Sequence, residues 1–227
     1  MNKHKEFETR EALDQALAEH IAGLLQREVD NRGAASLAVS GGSTPKGVFA
    51  ALSQQELPWD KVWVTLVDER WVEADSADSN ERLVRENLLQ NRAAQANFIG
   101  LKGRGTDATA ALGEVTASLE GMPLPLSCAV LGMGGDGHTA SWFPQASNLD
   151  ALLDPAGDAL LGSCDPVTAP HQRITFTLPA ILASGEIILH ITGEEKQQVL
   201  AEAADKGYPI AAITEQQQNP ASIWWAP

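Results

Sequence analysis

Ala35-Ser36-Leu37-Ala38-Val39-Ser40-Gly41-Gly42-Ser43-Thr44-Pro45 is the stretch whose reading decides the fold. Residues 35–39 are a short apolar run and read as a buried strand. Gly41 and Gly42 then permit unusual backbone angles and close approach to a ligand. Thr44 is placed to cap a following helix and Pro45 to take its first position. Val48, Phe49 and Leu52 supply that helix with an apolar face. Strand, glycine turn and helix follow one another without a break, which is one βα unit. The exposed N–H groups at such a helix start favour an anion. The turn is neither a P-loop nor a G-x-G-x-x-G fingerprint, so it gives no support for a nucleotide.

Outward from this unit the same alternation continues. On the N-terminal side, Leu13, Leu17, Ile21, Leu24, Leu25 and Val29 recur at spacings of three and four, predicting a long amphipathic helix that ends near residues 31–33. On the C-terminal side a strand is expected over 62–67, ending in Asp68-Glu69-Arg70, then helices over about 79–89 and 108–119. A third buried strand over 126–131 ends in Gly132-Met133-Gly134-Gly135-Asp136-Gly137-His138. After an irregular stretch come a strand at 173–177, a short helix at 179–183 and a β-branched strand at 186–191. Thr192-Gly193 turns that strand into a helix with an acidic first turn, which suits the helix dipole. A last strand is expected at 222–225, with Trp224 and Trp225 in the core. The expected fold is α/β, Rossmann-like and doubly wound: a mostly parallel sheet with helices on both faces, forming a single domain over 1–227. In such sheets ligands sit outside the carboxyl ends of the strands. The segments 40–45, 68–70 and 132–138 all follow strands, so one shared site is expected there.

Each segment carries a chemistry. Arg70 can grip a carboxylate or phosphate with its planar fork, with Glu69 as its candidate salt-bridge partner and Asp68 pointing the same way as Arg70. In the segment from Gly132 to Pro144, four glycines surround Asp136 and His138. Such a loop brings backbone close to a ligand and presents an imidazole suited to proton transfer near neutral pH. Asp136 is placed to orient that ring or to bind substrate. No spacing supplies a third ligand for a metal. His4 and His20 read as solvated surface residues, and His190 as a satisfied core histidine. Arg173 and Lys196 are candidate phosphate contacts, the latter in the first turn of a helix beside its free N–H groups.

The formal net charge of -14 argues against nucleic acid and requires that an anionic substrate find a locally positive pocket. The two cysteines, Cys128 and Cys164, form no C-x-x-C, and Cys128 in its apolar run reads as a buried free thiol. Residues 1–9 are polar with no apolar h-region, and no apolar stretch is long enough to span a bilayer. A cytoplasmic protein with no membrane partner is the expectation. Nothing in the sequence chooses between a monomer and a small homo-oligomer.

Together these pieces resemble the 6-phosphogluconolactonase family, within the larger group that includes glucosamine-6-phosphate deaminases. The matching pieces are residues 40–45, 67–72, Asp78-Ser79-Asn80, 131–144, 173–177 and Gly193-Glu194-Glu195-Lys196, which run in family order over most of the chain. The resemblance implies the deaminase-type α/β fold, hydrolysis of 6-phospho-D-glucono-1,5-lactone to 6-phosphogluconate, and no required cofactor. It implies catalytic roles for His138, Asp136 and Arg70. It also implies substrate or phosphate contacts from Gly41, Gly42, Ser43, Thr44, Asp68, Asn80, Gly135, Arg173 and Lys196. The deaminase relatives carry a Glu five residues after the histidine, which assists ring opening; here that position is Phe143, which cannot transfer protons. They also usually have Asp-Glu-Tyr or Asp-Glu-Trp where this chain has Asp68-Glu69-Arg70. Trp142 stands where many members have Leu, and is read as a packing change.

Overall fold

The computed structural model describes residues 2–227. In chain order the strands are β1 (Lys3–Glu6), β2 (Ala35–Val39), β3 (Val62–Leu66), β4 (Asp68–Arg70), β5 (Asn97–Phe98), β6 (Cys128–Leu131), β7 (Leu161–Cys164), β8 (Arg173–Phe176), β9 (Glu186–Thr192) and β10 (Ser222–Ala226). The α-helices are α1 (Arg10–Arg32), α2 (Lys46–Ser53), α3 (Asn80–Asn87), α4 (Ala108–Ser118), α5 (Leu149–Leu153), α6 (Leu178–Leu182), α7 (Glu194–Ala201), α8 (Ala203–Lys206) and α9 (Ala211–Thr214).

Seven strands form one sheet in the order β1-β10-β9-β6-β2-β3-β5, and every pairing in it is parallel. From β2 the chain steps outward through β3 to β5. It then returns to the other side of β2 as β6 and steps the opposite way through β9 to β10. Parallel crossovers are right-handed, so reversing the direction of winding puts the connecting helices on opposite faces. That makes the sheet doubly wound, with its switch point between β2 and β6. All five residues of β2 and all four of β6 are buried, as strands covered on both faces must be.

Local chemistry explains the element ends. Thr9 caps α1 by accepting from the Ala12 N–H, and Gly33 at φ 80° closes its far end on the Val29 carbonyl. Ser79 caps α3 by accepting from the Arg82 N–H. The turn before α2 departs from expectation. Thr44 makes no cap; Pro45 itself holds the N-cap position, and no side chain caps the helix. The first N–H groups of α2 therefore lack the side-chain acceptor that Thr44 was expected to supply.

Three features lie outside the sequence reading. The charged segment Lys3–Glu6 is an edge strand beside β10, protected from further pairing by its own charge. Asn97–Phe98 adds a short strand at the opposite edge. Asp68–Arg70, expected as the end of the strand over 62–67, is a strand of its own at one edge of a second, three-stranded antiparallel sheet, β4-β8-β7, and the stretch read as irregular contributes β7.

Candidate active site

The site begins with a register. Arg70 on β4 lies directly opposite Arg173 on β8, and Asp68 lies opposite Thr175. Directly opposed residues of an antiparallel pair point to the same face. Two guanidiniums thus stand side by side, and like charges so placed repel unless an anion lies between them. Burial lowers the pKa of Arg173; Asp68 works against that and Arg70 adds to it. Each guanidinium has a sealed Nε with no hydrogen-bond partner. Each also holds the chain beside it: Arg70 Nη1 donates to the Asp78 carbonyl, and Arg173 Nη2 donates to that of Pro170 at 3.1 Å.

Glu69 points the other way, as alternation along a strand requires. It does not pair with the Arg70 guanidinium. Its carboxylate accepts from the N–H groups of Arg70, Asn80 and Glu81 and from the Ser79 hydroxyl, at 2.7–3.0 Å. An acid on the first N–H groups of a helix is favoured by the helix dipole, so Glu69 pins α3 to β4. Burial nonetheless pushes its carboxyl above the ordinary range, against the pull of those donors. Asn80, set by this anchor, donates to the Asp68 carbonyl at 2.9 Å. Its amide lies where a side chain on Gly41 would begin. Asp68 accepts from the Ser141 hydroxyl at 2.5 Å.

These groups face a cavity of about 490 Å³ at the carboxyl ends of β2 and β6, where doubly wound sheets bind ligands. Gly41, Gly42, Ser43 and Thr44 line it from the β2 side, and His138 lines it from the β6 side. Asp68, Arg70, Asn80, Arg173 and Lys196 complete the set. Two expected residues are not in its wall. Asp136 stands behind His138, with its Oδ1 2.5 Å from the imidazole Nδ1. Gly135 is exposed and approaches Glu195 and Lys196 instead. The glycine that matters for close approach is Gly134: a Cβ there would lie 2.2 Å from the His138 ring. Burial would raise the Asp136 carboxyl, but the charge and hydrogen bonds of His138 outweigh it and hold Asp136 below the ordinary carboxylate range. An ionised Asp136 accepting from Nδ1–H leaves Nε2 unprotonated and free to take a proton.

Phe143 stacks on the His138 ring with centroids 4.3 Å apart, and the Arg173 guanidinium lies 5.6 Å from the Phe143 centroid. The apolar Phe143 ring thus packs against both the imidazole and the cation. Trp142 is buried and donates its indole N–H to the Phe176 carbonyl, a packing role.

Sequence reasoning missed some residues. His171, at φ 68°, forms part of the cavity rim and faces Asp78 at 3.2 Å. His190 lines the cavity and is not satisfied: its Nε2 is buried without a partner. His20 is no free surface residue either; it bonds Glu186 at 2.8 Å and packs on Trp224. Trp224 is buried, whereas Trp225 is partly open. Cys128 and Cys164 are both free and buried.

The fold is a doubly wound α/β fold whose cavity, at the switch point, gathers Arg70, Arg173, Lys196 and His138. Residues 8–225 match the family described as Glucosamine-6-phosphate isomerases/6-phosphogluconolactonase, and the chain belongs to it. A 6-phosphogluconolactonase of Mesorhizobium japonicum is 46% identical over 223 residues, covering 97% of this chain and 94% of its own. The crystal structure of a 6-phosphogluconolactonase from Shewanella baltica superimposes with a TM-score of 0.96 at 47% identity, covering 100% of this chain and 98% of its own. A monomeric glucosamine-6-phosphate deaminase shares the fold with a TM-score of 0.76 at 17% identity, covering 99% and 97% of the two chains.

Proposed function

We propose that this chain hydrolyses 6-phospho-D-glucono-1,5-lactone to 6-phosphogluconate, the second step of the oxidative pentose phosphate pathway. The observation that carries the reading is the His138–Asp136 pair, set in one cavity with the opposed guanidiniums of Arg70 and Arg173. The lactone is an activated ester, so a positioned base and an anion anchor suffice.

His138 takes a proton from water through Nε2 as the water oxygen attacks C1. Asp136 holds the ring in the required tautomer and supports the imidazolium that forms. Arg70, with backbone N–H groups of the glycine-rich loop, stabilises the developing oxyanion. When the C1–O5 bond breaks, His138 returns the proton to the ring oxygen. Gly42, Ser43, Thr44, Arg173 and Lys196 hold the 6-phosphate, and this anchoring brings C1 to His138. Phe143, packed on His138, leaves no acid in the position a deaminase uses for ring opening. The two reduced, buried thiols fit a cytoplasmic setting.

The test is disappearance of freshly generated lactone, corrected for spontaneous hydrolysis. Wild type is expected to exceed the buffer rate. His138→Ala is expected to lose about 10²–10⁴-fold in kcat while keeping its fold. A wild type no faster than buffer overturns the function, and a fully active His138→Ala overturns the mechanism. Release of ammonia from glucosamine 6-phosphate would instead assign the deaminase reaction.

A further inference from the structure

The cavity wall carries a second histidine–carboxylate pair, which the reaction scheme above leaves unused. His171, just before β8, and Asp78, just before α3, both line the cavity, and the imidazole Nε2 stands 3.2 Å from Asp78 Oδ2. Their side chains are 34% and 61% exposed, so a ligand entering the cavity can reach both.

The pair is held in place from both sides. His171 sits at φ 68°, a left-handed backbone that residues other than glycine rarely take. Such a conformation persists only where its surroundings over-determine it, and both neighbours are tied down. The Pro170 carbonyl accepts from Arg173 Nη2 at 3.1 Å. The Gln172 carbonyl accepts from the Trp71 N–H at 2.7 Å, and the Gln172 side chain accepts from the Ala108 N–H at 2.9 Å. Across the rim, the Asp78 carbonyl accepts from Arg70 Nη1, and its N–H donates to Ser76 Oγ at 3.2 Å. The two guanidiniums of the cavity thus also fix the two stretches whose side chains meet at its rim.

The contact decides what the ring can offer. A carboxylate only accepts, so in the neutral imidazole Nε2 carries the hydrogen and Nδ1 is left as an acceptor. Among the described residues no protein group donates to Nδ1. A phosphate oxygen has no hydrogen to give such a nitrogen, whereas a sugar hydroxyl does.

We infer that His171 is a further substrate-binding residue of this cavity, accepting through Nδ1 a hydrogen bond from a hydroxyl of the sugar chain while Asp78 holds Nε2–H. The inference rests on reading the cavity as a sugar-phosphate site. It adds recognition of the carbon chain to the phosphate contacts given by Arg173 and Lys196.

The test is NMR titration of the full chain with 6-phosphogluconate and, in parallel, with inorganic phosphate, which has the anion and no sugar hydroxyl. His171→Gly removes the imidazole and takes φ 68° without strain, so it is expected to keep the fold. Its Kd for 6-phosphogluconate is expected to rise about 3–10-fold, the worth of one neutral hydrogen bond, with its Kd for inorganic phosphate unchanged. In wild type the His171 Nδ1 resonance, assigned by its loss in His171→Gly, is expected to move on saturation with 6-phosphogluconate and to stay still with inorganic phosphate. Unchanged affinity for 6-phosphogluconate in His171→Gly, equal losses for the two ligands, or an Nδ1 resonance that 6-phosphogluconate does not move overturns the inference. Where wild type binds 6-phosphogluconate and His171→Gly binds it equally well, only this inference fails. If wild type binds no 6-phosphogluconate, the sugar-phosphate reading fails and this inference with it.

Discussion

The two sheets furnish the cavity with different materials. The parallel sheet brings backbone: the 40–45 turn and the 132–138 loop reach the site as glycine-rich connections, and of their side chains only His138 carries titratable chemistry at the wall. The antiparallel sheet brings charged side chains, with Asp68, Arg70 and Arg173 on one face of β4 and β8. A backbone cradle gives shape and N–H groups that cannot be lost by one side-chain exchange. A charged face gives field strength, and it must be held rigid by something else, here Glu69 and α3. The difference teaches that the two halves should fail differently when altered.

The largest effect should come from the backbone half. In Gly134→Ala the added Cβ would fall within 2.2 Å of the His138 ring and must turn it away from Asp136. The expected outcome is a fall in kcat of about 10²–10⁴-fold, close to removing the imidazole, with thermal stability nearly unchanged. Gly135→Ala, at an exposed position with room for a Cβ, should keep near-normal rates. Equal kcat values for the two alanine variants would break the idea that close approach at residue 134 sets the ring.

On the charged half, Glu69→Ala should show as lost stability. It leaves the Arg70, Asn80 and Glu81 N–H groups and the Ser79 hydroxyl without their acceptor beside a buried strand. A loss of about 3 kcal/mol in urea unfolding is expected, with partial recovery in Glu69→Gln. A stability loss under about 0.5 kcal/mol would mean that α3 is held by packing alone.

Smaller again is Arg173→Ala. Hydrogen bonds to charged groups are worth about 1.5–3 kcal/mol, so affinity for 6-phosphogluconate should fall about 10–100-fold, with a lesser effect on kcat. Removing one of two opposed cations also relieves their repulsion, so the variant should melt no lower than wild type. An unchanged Kd would place the phosphate elsewhere in the cavity.

Legibility followed the same division. The strands of the parallel sheet announce themselves as short apolar runs, and β2 is found at 35–39 as read. The helix over 10–32 shows its period and its Gly33 stop. The glycine turns are local signals, so the cradle and the His138 loop could be read directly. The antiparallel sheet could not, apart from its middle strand, expected at 173–177 and found at Arg173–Phe176. Its strands come from segments far apart in sequence, β7 is flanked by turn-forming residues, and Asp68-Glu69-Arg70 has the composition of a loop. Asp68 and Arg70 were nevertheless assigned one direction from alternation alone, and both line the cavity. Glu69 was misread because its partners are backbone N–H groups of a helix start, which no side-chain pattern reveals. His190 sits in an apolar run, where the ordinary inference is a satisfied core residue. Only the three-dimensional accounting of partners shows otherwise.

The parallel half is also not wholly free of charge, and this gives the smallest prediction. The Asp14 carboxylate fills the space beside Gly47 in the first turn of α2, beneath the cradle. Burial, with Glu11 nearby and against the pull of Arg10, raises its pKa from 3.8 to about 6. A carboxyl raised on folding binds its proton more tightly in the folded state, so its ionised form weakens the fold. The cost is fully present above pH of about 6 and is relieved as pH falls through that value toward 4. Asp14→Asn should therefore raise the unfolding free energy by about 1–2 kcal/mol at pH 7.5, after discounting for solvent screening, and by almost nothing at pH 4. Urea unfolding of both proteins at the two pH values measures the difference directly. If the variant gains nothing at pH 7.5, the dipole of α2 stabilises the Asp14 carboxylate enough to cancel its burial, and the backbone cradle would then be attracting an acid of its own as well as the substrate's phosphate.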